Sequence, residues 1–169
     1  MKDKVANEFQ EFWNHTSEKV GAYMFCACRN STDAEDMVQD CCLRALKAWN
    51  QFNGKGSRQA WLFGIARRTH VDWLRRQKSE ITKVNSKMQE RQNESIPEDS
   101  TFINSDKIWD IVKNLNQEQS EVIHLKFAAG LSYLQIANIL EIPVGTVRSR
   151  LHRGLKVIKK NVGELENGS

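Results

Sequence analysis

Proline is almost absent: Pro97 and Pro143 are the only two in 169 residues, beside nine glycines. So few breakers, together with few runs of β-branched residues, argue for helices. Long hydrophobic runs are also missing. None approaches the roughly 20 consecutive apolar residues that a membrane helix needs, and the first residues do not have the plan of a secretory signal peptide. The expected location is the cytoplasm, with no direct membrane insertion. Cysteines number four, and Cys26-Ala27-Cys28 and Cys41-Cys42 lack the C-x-x-C interval of a zinc site. In a reducing compartment the default for such residues is a buried free thiol, so a core role and no metal are expected. No catalytic constellation is visible, so neither enzyme chemistry nor a cofactor is expected.

What is present is a soluble, globular composition, 40% hydrophobic and 27% charged. The length suits one ordinary domain or two small ones. The net charge of +4 is unevenly spread. Residues 1–50 carry six basic and eight acidic side chains, residues 51–80 seven and two. Residues 105–142 are again net acidic, and residues 143–169 hold six basic against two acidic. Two basic blocks separated by acidic ones point to two contacts with nucleic acid and to other surfaces for a protein partner. Solvated helix faces would give the same charge pattern, so charge alone does not decide.

Residues 7–29 have the pattern of a first helix, with Phe9, Phe12, Val20, Tyr23 and Met24 among its apolar positions. Thr32 and Glu35 have capping-box spacing at the start of a second, whose Ala34, Met37, Val38, Cys41, Ala45, Leu46 and Trp49 follow helical spacing to about Asn50. The loop Asn53-Gly54-Lys55-Gly56-Ser57 interrupts. A third helix is expected from about Arg58 to Lys78, with Trp61, Leu62, Ile65, Ala66, Val71 and Leu74 on its inner side. Residues 79–104 are polar, contain Pro97 and lack an apolar stripe, which predicts a flexible linker. Helical pattern returns at Ile108, Trp109, Ile111, Val112 and Leu115, and continues through Val122, Ile123 and Leu125 to a break at Gly130. The expected fold is all-α: two small helical domains, residues 1–78 and 105–169, joined by a flexible linker at 79–104.

The strongest local signal is a helix-turn-helix over about 132–158. Ser132 and Gln135 have capping-box spacing, and Leu134, Ala137 and Leu140 are the expected inner stripe of the first helix. Glu141-Ile142-Pro143 forms a short turn, and proline wastes no donor at a helix entry. On the next helix Val147, Leu151, Leu155 and Ile158 fall on one face; Ser149, Arg153 and Lys156 lie opposite, flanked by Arg148 and His152. A recognition helix needs this division, because arginine can bridge guanine's two major-groove acceptors while lysine and serine reach phosphates. An ordinary amphipathic core helix with a wet basic face is the plainer alternative, and His152 could merely pack.

Three strings resolve which kind of DNA-binding chain this resembles. DAEDMVQDCCLRALKAW resembles the sigma-factor segment that binds the polymerase clamp. FNGKGSRQAWLFGIARRTHVDWLRR resembles the segment that melts and reads the −10 element, and LNQEQSEVIHLKFAAGLSYLQIANILEIPVGTVRSRLHRGLK the −35-binding region. In family order, they cover most of the chain outside the linker. The chain resembles an extracytoplasmic-function sigma factor of the sigma-70 family, the group reduced to two domains.

The resemblance implies an alternative sigma factor that binds core RNA polymerase, through the β′ clamp and the β flap, and directs initiation at promoter DNA. It places Asp36, Gln39 and Asp40 against a basic coiled coil of β′, where steering and charge-assisted hydrogen bonds would act. Dipole stabilisation at a solvated helix start is the plainer role for such carboxylates. Arg67, Arg68, Arg75 and Arg76 are expected at phosphates. The loop matching Asn53–Ala60, with Asn53, Lys55, Ser57 and Arg58, would capture a base flipped from the duplex. Arg58 departs from the apolar residue common in relatives, and Gln59 from the commoner arginine. Trp73 could stack on a base or pack in the core, whereas Trp61 is expected to pack. An anti-sigma factor, often membrane-anchored in the family, is a further implied partner. The rival readings are a helix-turn-helix regulator that binds DNA without polymerase, and a helical adaptor that binds polymerase but not DNA.

Overall fold

The computed structural model describes residues 2–84 and 103–167, and these are helical with short connections. The chain divides into two compact units, one within residues 1–94 and one within 95–169. The all-α, two-unit architecture matches the reading of the sequence.

The first unit is built from α1 (Lys2–Cys28), α2 (Ser31–Ala48) and α3 (Arg58–Val84), each packed on the other two. Val20, Tyr23 and Met24 of α1, Met37, Cys41 and Ala45 of α2, and Leu62, Phe63 and Ala66 of α3 are buried together as its core. Arg29 ends α1 in the left-handed region (φ 57°), its amide bonding to Phe25 O at 2.7 Å. Asn30 then caps α2, its side-chain oxygen accepting from the Asp33 amide at 2.9 Å. The cap is therefore Asn30, not Thr32: in a run of four capping residues the earliest one took the role. Leu46, expected inside, is 44% exposed. α3 continues six residues beyond 78 into the stretch read as linker; the rest of that stretch up to residue 102 lies outside the described residues. Cys26, Cys28 and Cys41 are buried, Cys42 is half-buried, and all four are free thiols. Burial pushes the Cys41 thiol up to about 12.

The second unit comprises α4 (Ile103–Lys113), α5 (Gln117–Ile123), a wide π turn (His124–Ala128), α6 (Tyr133–Leu140) and α7 (Val144–Asn167). Helices α4, α5 and α6 all pack on α7. Val112, Val122, Ile123, Leu125, Leu131, Ile136 and Val147 are its buried centre. The capping box at Ser132 forms as expected: Gln135 N donates to Ser132 Oγ at 3.2 Å, and Ser132 N to Gln135 Oε1 at 2.8 Å.

Candidate nucleic-acid interface

The helix-turn-helix closes on local backbone bonds. Glu141 adopts a left-handed conformation (φ 54°), and Ile142 N reaches back to Ala137 O at 3.1 Å. The chain then enters α7 with Pro143 O accepting from Thr146 N and Val147 N at 2.9 and 3.2 Å. The inner faces differ from the expected ones. Leu134 is 63% exposed, and the neighbouring Ile136 is buried with Ala137. On α7, Leu155 is 39% exposed, and Gly154 is buried instead, with Val147, Leu151 and Ile158. A glycine inside and a leucine outside is what close helix crossing requires: a Cβ on Gly154 would lie 2.7 Å from Ile123 Cδ1.

This face leaves Arg148, His152, Arg153 and Lys156 exposed. Arg148 sits over the Tyr133 ring at 5.8 Å, and Lys126 over the same ring at 5.0 Å. Ser149 is half-buried, its hydroxyl donating to Thr146 O at 3.0 Å. Arg150, which the sequence left unassigned, is a structural tie between α7 and α5 through Glu118 at 2.8 Å.

In the first unit the loop before α3 is shaped at both ends by its own polar side chains. Asn53 Oδ1 accepts from Lys55 N at 3.0 Å, and Ser57 Oγ accepts from Ala60 N at 3.1 Å, which caps α3. Gly54 and Gly56 adopt positive φ (76° and 77°), which side-chain-bearing residues take only at a cost. Arg58 lies over the rings of Trp49 (4.1 Å) and Phe52 (5.2 Å). Trp61 joins the same aromatic group, edge-on to Trp49, which is packing as expected. An open depression of about 470 Å³ beside it is lined by Glu8, Glu11, Phe12, His15, Trp49 and Arg58. Its two carboxylates have the wrong sign for phosphate.

Along α3, Arg68, Arg75 and Arg76 are exposed and Arg67 is half-buried. Trp73 is half-buried and stacks on His70 at 6.1 Å, with its indole nitrogen buried and without a hydrogen-bond acceptor. Burial, and secondarily the Arg67 charge, lower the His70 pKa to about 4.

On α2, Asp36 and Gln39 are exposed, and Asp40 is half-buried. Leu43, at 56% exposure, and Leu46 follow at helical spacing, so the acidic stripe continues into an apolar one that sequence reasoning missed. Asp40 belongs to an ion cluster across α2 and α3. Arg44 bonds it through Nε (3.1 Å) and Nη2 (3.0 Å), and reaches Asp72 with Nη1 at 2.7 Å. Arg76 lies 3.8 Å from Asp40, and Arg75 3.9 Å from Asp72. The Arg44 hydrogen bond holds the Asp72 carboxyl below its usual range. Sequence alone could not pair residues 44 and 72 across the fold.

The models for Sigma-70 region 2 and Sigma-70, region 4 match residues 15–80 and 105–158. Among curated proteins, the chain is 30% identical to the ECF RNA polymerase sigma factor SigW of Bacillus subtilis, over 98% of this chain and 94% of that one. The chain belongs to the sigma-70 family, as an ECF sigma factor. It is also 26% identical to SigX of Bacillus subtilis (91% of this chain, 83% of that one), and 30% identical to the ECF sigma-E factor of Escherichia coli (80% and 76%). The fold is that of the sigma factor RpoE solved with the anti-sigma factor NepR from Bartonella quintana. The TM-score is 0.81 at 23% identity, over 92% of this chain and 97% of that one. This sigma factor therefore directs transcription as an alternative specificity subunit, and no described helix is long and apolar enough to cross a membrane.

Proposed function

We propose that this sigma factor divides its work among three surfaces. The α2 stripe Asp36, Gln39 and Asp40, extended by Leu43 and Leu46, docks on the β′ clamp of core polymerase, and the second unit meets the β flap. Arg148, Ser149, His152, Arg153 and Lys156 read and hold the −35 element. Asn53, Lys55, Ser57, Arg58, Arg67, Arg68, Trp73, Arg75 and Arg76 serve the −10 region. The observation that carries this reading is the two-sided α7: Val147, Leu151, Gly154 and Ile158 bury its back, and Arg148, His152, Arg153 and Lys156 stand exposed on the rest. A helix so anchored can enter a major groove without losing its own packing.

Ser57 holds the α3 terminus and Asn53 the loop's turn, so their effect on base choice is through loop shape. Arg58 acts first as a lid on Trp49. Trp73 is half-buried with one face against His70, and its part in the −10 region would be stacking on a base. Polymerase supplies the chemistry, in the cytoplasm. An anti-sigma factor is a fitting regulator, since the matched RpoE fold was solved with one.

The test is transcription in vitro from a promoter library by core polymerase with and without the full chain, beside gel shifts on duplex promoter. Core-dependent, sequence-selective transcripts are expected. Selective duplex binding by the chain alone, with no core-dependent transcript, would favour the helix-turn-helix regulator instead.

A further inference from the structure

We infer that Arg44 is a positioning residue for polymerase binding: anchored by Asp72 on α3, it fixes the direction in which Asp40 on α2 presents its carboxylate. This rests on the assignment of Asp40 to the polymerase face.

The geometry is specific to a guanidinium. Nε and Nη2 of Arg44 take the two oxygens of Asp40 in a parallel fork (3.1 and 3.0 Å), and Nη1 reaches Asp72 Oδ2 at 2.7 Å. An i,i+4 pair on an exposed helix is ordinarily loose, because both long side chains keep their rotamer freedom. Here the arginine is pinned from a second helix. Its planar head then transmits that fixity to Asp40, which a lysine, a point charge on a flexible stem, cannot do. Each carboxylate oxygen still has a lone pair beyond the one Arg44 occupies, since Arg76 Nη2 stands 3.8 Å from Asp40 Oδ2, beyond hydrogen-bond distance. A preset carboxylate loses less freedom when a partner cation engages it.

Charge and orientation make opposite forecasts, which makes the idea testable. By charge alone, removing Arg44 leaves the α2 face more acidic and strengthens its attraction to a basic partner. By orientation, removal weakens binding although a cation has gone. A merely structural staple between α2 and α3 would change melting and leave the affinity of the folded chain alone.

The experiment measures the affinity of the full chain for bacterial core RNA polymerase, at a temperature where circular dichroism shows every variant folded. Arg44→Gln should bind about five-fold more weakly, the scale of a coupled pair. Arg44→Lys should be weakened too, because it keeps the charge and loses the fork. The double variant Asp40→Asn/Arg44→Gln should bind no more weakly than Asp40→Asn. Wild-type or tighter binding by Arg44→Gln, full affinity in Arg44→Lys, or additive losses in the double variant would overturn the inference. If Arg44→Gln fails to fold, Arg44→Lys decides. Should Asp40→Asn bind like wild type, the assignment of Asp40 falls together with the inference. Should Asp40→Asn weaken binding while the arginine variants do not, only the inference falls.

Discussion

Gly154 of α7 and Ile123 of α5 are in such close contact that a Cβ on the glycine would stand 2.7 Å from the isoleucine Cδ1. Ile123 is itself 1% exposed, so it has little room to yield. Gly154→Leu should destabilise the second unit by about 1–3 kcal/mol through overpacking, read as a lower denaturant midpoint. Leu155→Ala, on the exposed side of the same helix, should change stability by less than about 1 kcal/mol. Equal losses at the two positions would contradict the inner face described for α7.

The acidic stripe of α2 supports a cleaner variant than its most enmeshed member. Asp40 is held by Arg44, whereas Asp36 is exposed. Asp36→Arg should leave helical content and melting within about 0.5 kcal/mol of wild type, as surface changes usually do. Co-elution with core polymerase should be lost. Retained co-elution would remove this helix from the polymerase interface.

His70 gives the first unit a pH dependence. Its folded pKa of about 4 lies below the ordinary 6.5, because burial and then Arg67 disfavour the charged ring. The unfolded chain therefore binds the proton more readily between those values. Stability should fall as pH drops from about 6.5 to about 4, by up to about 1.4 kcal/mol per pH unit from this group. The ring nitrogen Nε2 is buried without a partner, so His70→Phe should keep the packing on Trp73 and Tyr23 and flatten that part of the profile. Urea unfolding at a series of pH values reads both slopes, and parallel slopes would discount the histidine.

The division between the two DNA-facing blocks is separable by promoter selection. Arg153→Ala should cost about 1–3 kcal/mol if the side chain makes a bidentate base contact, and relax selectivity at one or two −35 positions with −10 preference unchanged. Exchanging residues 53–57 for a relative's loop should do the reverse. In-vitro transcription from libraries randomised separately in each element checks both; a loop exchange that moves −35 preference would refute the assignment.

What the sequence disclosed and what it hid follow from distance along the chain. The Ser132–Gln135 capping box spans three residues and was legible because both partners are local. The start of α2 was legible only approximately, since Asn30, Ser31, Thr32 and Asp33 are all competent caps and competition among neighbours chose the first. Inner faces were misread where size mattered more than hydrophobicity: Gly154 is inside because another helix crosses there, while Leu134, Leu155 and Leu46 face out. The Arg44–Asp72 contact joins residues 28 apart in sequence, and Arg58 finds its aromatic partners only after the helices assemble. The exposed stripe of Leu43 and Leu46 was hidden because Leu46 fell in the expected apolar spacing and was read as core, while Leu43 was assigned no role.

The loop ahead of α3 is fastened at Asn53 on one side and at Ser57 on the other, with Arg58 closing over Trp49 just beyond. Those fastenings insulate the hydrophobic interior from whatever lies between them. Under the proposed assignment, duplicated copies of such a gene can diverge in promoter taste by exchanging a few residues within this cassette. Each descendant keeps the same packed interior and the same polymerase as long as the positive-φ positions at Gly54 and Gly56 are kept, and a cell can thereby run many transcriptional programmes on one inherited scaffold.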